Sequence, residues 1–273
     1  MSSKKIAEGK TKIVWSTGDK RVVLIESKDD ITAGDGAKHD IVEKKGMLST
    51  ETLCNCFSLL NGEGIPTHFI GRENERSFLA LRAKMIPIEL VVRRIATGSY
   101  LKRHPETIEG TIFDPLIFEA FYKDDEFHDP IMMWRDRRRC FELYQTKIHW
   151  SKGYLYDLRP NFIIAPSGHP FGKQDLNELS SIACKVFLIL ENAWKLLEVD
   201  LVDLKIECGY VLGRVVVADV IDNDSWRIWP GGNKSQMKDK QVYRNLEETT
   251  IESLEKIRRN YSWVAEATSR FFL

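Results

Sequence analysis

Neither sign of charge predominates in this chain. Its 273 residues carry 40 Lys+Arg against 40 Asp+Glu, a formal net charge of zero. Proteins dedicated to nucleic acid or membrane surfaces normally show a basic excess, so the balance argues against both while leaving room for a locally charged cleft. Long apolar runs are missing too, and Met1-Ser-Ser-Lys-Lys5 lacks the apolar core of a signal peptide. The expectation is a cytoplasmic protein with no membrane and no nucleic-acid partner. Cysteine is sparse and odd in number: Cys54, Cys56, Cys140, Cys184 and Cys208. Cys54-Asn-Cys56 is not zinc spacing and no second pair completes a site, so free thiols in a reducing compartment are expected. The length suits one large domain or two intimate lobes.

What is present is a strand-rich first part followed by mixed elements. Ile13-Val-Trp15, Val22-Val-Leu-Ile25 and Pro87 to Arg93 read as strands bounded by Gly, Asp and Lys clusters. Leu53, Cys54, Phe57 and Leu60 recur at helical spacing, with Gly62 and Gly64 as the stop. Leu179, Ile182, Val186, Ile189, Leu190 and Trp194 form a second helical stripe. Ile251, Leu254, Ile257, Tyr261, Val264 and Ala265 form a third, with Thr249 as cap and Glu252 completing a capping box. The stretch from Ile131 to Lys173 has no sustained period and reads as a solvated insertion or loop. The order of elements predicts an α+β fold with two lobes, 1–90 and 91–273, joined near residues 90–99.

Chemistry concentrates in two strands. Asp203, Lys205 and Glu207 alternate with Val202, Leu204 and Ile206, so in an extended chain the three polar groups share a face. Val215 to Val217 reads as a buried strand followed at once by Asp219, then Asp222, Asp224 and Arg227. Carboxylates and cations on neighbouring strands suit a polyanion held through Mg2+, which takes hard oxygen ligands and keeps substrate phosphates in its shell. The bland alternative is a half-buried hairpin with a polar outer face.

Weaker signals lie elsewhere. Glu8-Gly-Lys-Thr-Lys12 is no Walker A loop, because the earlier glycine of that pattern falls at Lys4. It does combine Gly9, where backbone can approach a ligand, with Lys10 and Lys12, compact charges that suit phosphate. Asp35 stands between Gly34 and Gly36, residues that permit backbone closed to others. Arg93, at a strand end, offers a planar fork for phosphate or carboxylate, and Gly98-Ser99 adds a hydroxyl. Asp129 could reach a metal, while Lys240 and Arg244 supply cations at helical spacing.

Five ordered motifs together carry a resemblance: Gly9-Lys-Thr-Lys12, Thr32-Ala-Gly-Asp-Gly36, Val92-Arg-Arg-Ile-Ala-Thr-Gly-Ser99, Asp203-Leu-Lys-Ile-Glu207 and Asp222-Asn-Asp-Ser-Trp-Arg-Ile-Trp-Pro230. They resemble the SAICAR synthetase family of purine biosynthesis over residues 5 to 130 and 178 to 268. The wording looks like the animal form, the N-terminal half of a bifunctional enzyme fused to an aminoimidazole ribonucleotide carboxylase. The resemblance implies a strand-rich N-terminal lobe with a kinase-like ATP site, a cleft between the lobes, and a homo-oligomer. It also implies ATP-dependent joining of L-aspartate to carboxyaminoimidazole ribonucleotide (CAIR), giving SAICAR, ADP and phosphate. By the same resemblance Gly9, Lys10, Lys12, Met85, Glu89 and Lys205 would meet ATP. Glu207 and Asp219, with Asp129 as a third candidate, would hold Mg2+. Asp35, Arg93, Ser99, Asp203, Arg227, Lys240 and Arg244 would surround CAIR and aspartate, and Lys205, Asp203 and Arg227 would be catalytic. Two departures stand out: Cys208 where the family usually has Phe, and residues 131–173, longer than their usual counterpart.

Two rivals follow from the same residues. A small-molecule or protein kinase would share the ATP site, but the chain has no His-Arg-Asp catalytic loop and no Asp-Phe-Gly metal motif. An RNA-binding module would use Arg135 to Arg139 and the nearby aromatics, with salt-dependent binding to oligonucleotides as its mark.

Overall fold

The computed structural model describes residues 4–166 and 168–272, with backbone only at position 35. The first compact unit comprises residues 1–83, 189–201 and 220–273. It holds a five-stranded sheet in the order β1-β2-β3-β7-β6, formed by β1 (Lys5–Glu8), β2 (Lys12–Ser16), β3 (Val22–Ser27), β6 (Phe69–Arg72) and β7 (Ser77–Leu81). Between β3 and β6 run a hairpin of β4 (Asp30–Ala33) and β5 (Lys38–Ile41), then helix α1 (Lys45–Gly62). In β3 the residues Val23, Ile25 and Ser27 are buried while their neighbours are half-buried, the period-two pattern of a one-sided sheet. Helix α1 packs against β3, β6 and β7 through a face that includes Leu53, Cys56, Phe57 and Leu60.

The chain returns to this unit after residue 219. It adds β15 (Trp226–Pro230), the single turn α4 (Gln241–Arg244) and α5 (Ile251–Ser269), which lies along α1. Trp194 anchors part of the core, edge-on to Trp226 at 5.4 Å and stacked with Trp263 at 6.3 Å. Complete burial of such a side chain contributes about 3 kcal/mol. The N-cap of α5 is Thr250, in a capping box with Ser253, one residue beyond the expected Thr249 and Glu252. Thr249 instead donates its hydroxyl to Asp40 (3.0 Å), and Ile251, expected in the apolar stripe, is exposed.

The second unit comprises residues 84–188 and 202–219. Its elements are β8 (Lys84–Ile95), α2 (Ser99–Arg103), β9 (Ile112–Tyr122), β10 (Ile131–Arg135), β11 (Cys140–Tyr144), β12 (Tyr154–Leu158), most of α3 (Lys173–Lys195), nearly all of β13 (Val199–Val211) and β14 (Arg214–Ala218). The strands form one antiparallel sheet in the order β12-β11-β10-β9-β8-β13-β14. These units differ from the expected pieces 1–90 and 91–273. The switch falls at residue 84, and residues 189–201 and 220–273 go with the first unit because α5 packs on α1.

Residues 131–173 are not a solvated loop. They add three strands to the sheet, and every residue of β11 is buried. A strand covered on both faces shows no alternation, so its period is invisible in sequence. The aromatic richness has a physical cause: Phe141, Phe162 and Phe171 lie with ring centroids 5.5–6.0 Å apart, and Trp134 meets Phe141 edge-on at 4.9 Å. All five cysteines are free thiols. No helix among the described residues is long and apolar enough to cross a membrane.

Candidate active site

Register places the polar groups of the second unit. Asp203 of β13 stands opposite Arg93 of β8, Lys205 opposite Val91, and Glu207 opposite Glu89. On the other side of β8, Val91 stands opposite Glu119 of β9. Directly opposed residues of an antiparallel pair share a face. One face therefore carries Glu89, Arg93, Glu119, Asp203, Lys205 and Glu207. Their sequence neighbours Ile88, Leu90, Val92, Leu204, Ile206 and Cys208 are buried on the other.

At one end of that face lies a mixed charge cluster. The Lys205 ammonium donates to Glu89 (2.7 Å) and lies 3.8 Å from Glu207. Lys123, just past the end of β9, donates to both oxygens of Glu207 at 2.9 and 3.0 Å. Burial raises the Glu207 pKa and the Asp219 charge raises it further, against Lys205 and Lys123. Burial opposes the charge on Lys205, yet Glu89 and Glu207 outweigh it and its pKa is raised. Asp129 feels Glu89 and Lys123, and burial is the main reason its pKa is raised. Asp129 and Asp219 both take left-handed backbone, φ 52° and 65°, which short polar side chains tolerate better than most.

A divalent cation suits part of this cluster. Glu207 and Asp219 repel one another across low-dielectric surroundings, and their hard oxygens match Mg2+. Asp129 sits with Glu89 and Lys123, and no three His, Cys, Asp or Glu groups among the described residues converge as a ready ligand set.

Arg93 is buried and doubly engaged. Its guanidinium donates to Glu119 (2.6 Å) and Asp203 (2.9 Å), with Ser99 Oγ at 3.5 Å. Arg103, buried as well, donates to Glu119 and to the Thr146 carbonyl. The two guanidiniums overcome the effect of burial and hold the Glu119 pKa below its ordinary value. Glu119, Arg103 and Lys123 were invisible as site residues in the sequence. The alternation of β9 hides Glu119 among aromatics, and Arg103 ends a five-residue helix without a motif.

The first unit holds the remaining candidates. The Gly9 N–H donates to the Lys12 carbonyl (2.9 Å), closing the turn that presents Lys10. A Cβ at Gly36 would lie 3.9 Å from the end of the Lys10 chain, so Lys10 reaches the Gly34–Gly36 turn. Both glycines have positive φ, +58° and +97°, as that turn requires. The Asp35 side chain lies outside the described residues. Arg227 and Arg244 both donate to Gln241 Oε1, at 3.4 and 3.5 Å. Lys240 donates to Asp224 (2.9 Å), which also accepts from the Tyr261 hydroxyl and lies 3.8 Å from the Lys45 ammonium. Burial opposes ionisation of Asp224, but Lys45 and Lys240 hold its pKa far below the usual carboxylate range. Gln241, Lys45 and Tyr261 were not among the site residues expected from the sequence. Met85 is exposed at the start of β8.

A carboxylate and ammonium cluster at the end of a sheet face, with basic side chains elsewhere, suits an enzyme that binds anions. The family model described as SAICAR synthetase matches residues 5–260. The chain belongs to the SAICAR synthetase family. It is 45% identical over 266 residues to phosphoribosylaminoimidazole-succinocarboxamide synthase of Roseiflexus sp. (strain RS-1), covering 97% of this chain and 96% of that protein. It is 42% identical to the human bifunctional phosphoribosylaminoimidazole carboxylase/phosphoribosylaminoimidazole succinocarboxamide synthetase, covering 96% of this chain and 57% of that protein. Among solved structures, the synthase of Ehrlichia chaffeensis superimposes with a TM-score of 0.77 at 28% identity, over 97% of this chain and 98% of that one. A SAICAR synthetase in complex with ADP superimposes at 0.74 and 30% identity, over 94% of this chain and 97% of that one.

Proposed function

We propose that this chain is an ATP-dependent ligase that joins L-aspartate to CAIR, forming SAICAR with release of ADP and phosphate. The observation that carries the reading is the cluster of Glu89, Lys205, Glu207, Lys123 and Asp219 on a chain matched by the family over residues 5–260. A carboxylate is a poor acyl donor, because it has no good leaving group. Phosphoryl transfer from ATP to the CAIR carboxylate makes an acyl phosphate, and the aspartate amine then displaces phosphate to form the amide. Such transfer asks mainly for positioning and charge neutralisation.

Lys10 and Lys12, presented by the turn at Gly9, hold phosphate oxygens, and the segment from Met85 to Leu90 lines adenine, with Glu89 near its amino group. Lys205 steadies the transferring phosphoryl group, with Glu89 fixing its direction. Glu207 and Asp219, with Asp129 as a third candidate, would hold Mg2+, which neutralises phosphate charge when bound. Arg93, Ser99, Asp203, Arg227, Lys240, Arg244 and Asp35 bind CAIR and aspartate. Asp203 keeps the Arg93 fork oriented (2.9 Å).

The test separates a ligase from a kinase. ADP release that needs both CAIR and aspartate is the expected result; ADP release with CAIR alone, at the same rate, would refute ligation. The motif wording of residues 95–99 and 222–227 favours an animal-type chain, and the human relative, longer than this chain, supports a fused carboxylase in the parent protein. The Roseiflexus enzyme, matched end to end, supports a stand-alone form, and the length of the native transcript decides between them. A homo-oligomer in the cytosol completes the proposal, testable by light scattering and fractionation.

A further inference from the structure

The hairpin of β4 and β5 and the segment 240–249 are some 200 residues apart in sequence, yet polar groups fasten them together. Lys38 donates its ammonium to the carbonyls of Tyr243 (3.1 Å) and Leu246 (2.7 Å). The same ammonium lies 4.5 Å from the centre of the Tyr243 ring. Two residues along β5, Asp40 accepts from the hydroxyls of Tyr243 (2.7 Å) and Thr249 (3.0 Å). Beneath these contacts Ile31, Val42, Tyr243, Ile257 and Tyr261 form one buried apolar cluster. Lys38 binds carbonyls at the end of α4, the end of a helical turn where orphan acceptors and a cation suit each other. A lysine held by two backbone carbonyls and a ring is fixed in direction, not merely solvated.

Each fastened piece carries residues assigned to the anionic substrate. The hairpin bears the Gly34–Gly36 turn at its tip, and the other segment bears Lys240 and Arg244. We infer that Lys38 and Asp40 are positioning residues that lock this turn to the Lys240–Arg244 segment, so that both meet the nucleotide carboxylate and phosphate as one preformed frame. The inference rests on the ligase reading above. Preformed geometry matters because ordering a loop on binding subtracts directly from affinity. A frame broken at Lys38 therefore weakens one substrate and spares the other.

The experiment compares wild type with Lys38→Met, Lys38→Arg and Asp40→Asn. Lys38→Met is expected to raise the KM for CAIR about tenfold while the KM for ATP stays unchanged. Lys38→Arg, still able to donate to two carbonyls, restores most of the loss, and Asp40→Asn falls between. Amide hydrogen exchange supplies a readout independent of activity: in Lys38→Met, residues 31–41 and 241–249 speed up together. The inference is overturned by unchanged KM values in Lys38→Met, by all KM values rising in step with lost folded fraction, or by exchange that rises in 31–41 alone. A wild-type chain making no SAICAR would sink the ligase reading, and coupled exchange would then decide the lock by itself.

Discussion

Glu119 and Glu207 stand on the same face of one sheet and are equally buried, their side chains 6% and 7% exposed. Their chemistry nonetheless runs in opposite directions. Glu119 lies between Arg93 and Arg103, which hold its proton affinity down. Glu207 lies beside Asp219, and its proton affinity is raised despite Lys123 and Lys205. Burial cannot account for the difference, so the neighbours must. In the Glu119 network each guanidinium meets Glu119 at hydrogen-bond distance and Arg93 reaches Asp203 as well, while the buried Nε of Arg103 makes no hydrogen bond. The Glu207 cluster keeps two carboxylates side by side, with Lys123 and Lys205 offsetting only part of their repulsion. Opposite charges alternate around Glu119, whereas Glu207 also has a like charge beside it.

The comparison breaks first at Glu119. Glu119→Ala leaves two guanidiniums buried without their shared partner, and the expected loss of stability is about 3–5 kcal/mol. Chemical denaturation measures it, and a loss no larger than that of a surface carboxylate would mean that water replaces Glu119. The acid limb of stability sharpens the point. A carboxylate whose folded pKa is lowered contributes stability that is present above its unfolded pKa and lost as pH falls through the folded value. Stability should therefore decline as pH drops below the ordinary glutamate value of 4.5, and Glu119→Gln should flatten that decline. Glu207 carries the opposite sign, because its contribution is present at low pH and lost as pH rises through its raised folded pKa.

At Glu207 the break should fall on catalysis instead. Glu207→Gln keeps size and shape while removing the charge proposed to hold Mg2+. Turnover is expected to fall about a hundredfold, with circular dichroism unchanged. Full activity with Mg2+ would remove Glu207 from the metal assignment. Loss of fold in parallel with activity would mean that Lys123 and Lys205 depend on it structurally, as Arg93 and Arg103 depend on Glu119.

Legibility in the sequence followed the same divide. The alternation of Asp203, Lys205 and Glu207 against Val202, Leu204 and Ile206 was readable because β13 has one apolar and one polar side over that stretch. The helical stripes of α1, α3 and most of α5 were readable for the equivalent reason, one face in and one face out. Residues 131–173 were not, since β11 is covered on both faces and its aromatics pack on one another. The partners in the charge networks were hidden for another reason. Glu119, Arg103, Lys123 and Lys45 carry no signal of their own as site residues; each acquires a role only when the fold brings its partner within reach, as between Lys123 and Glu207, 84 residues apart. The compact units escaped for the same cause, because the return of residues 220–273 to the first unit is a long-range packing event.

The smallest test concerns two adjacent threonines whose roles differ by one position. Thr250 Oγ1 accepts from the Ser253 N–H (3.1 Å), and Ser253 Oγ accepts from the Thr250 N–H (2.8 Å), a reciprocal cap for the first turn of α5. Thr249 makes no part of that cap and donates to Asp40. Thr250→Ala strands the Ser253 N–H at the helix start and should cost about 1 kcal/mol, seen as a lower thermal midpoint with substrate KM values unchanged. Thr249→Ala removes one of the two hydroxyls on Asp40 and leaves the cap intact. Its effect should be smaller on stability and should fall on the KM for CAIR. Equal midpoints for the two variants would place the cap at Thr249 after all, and equal KM values would detach Thr249 from the lock around Asp40.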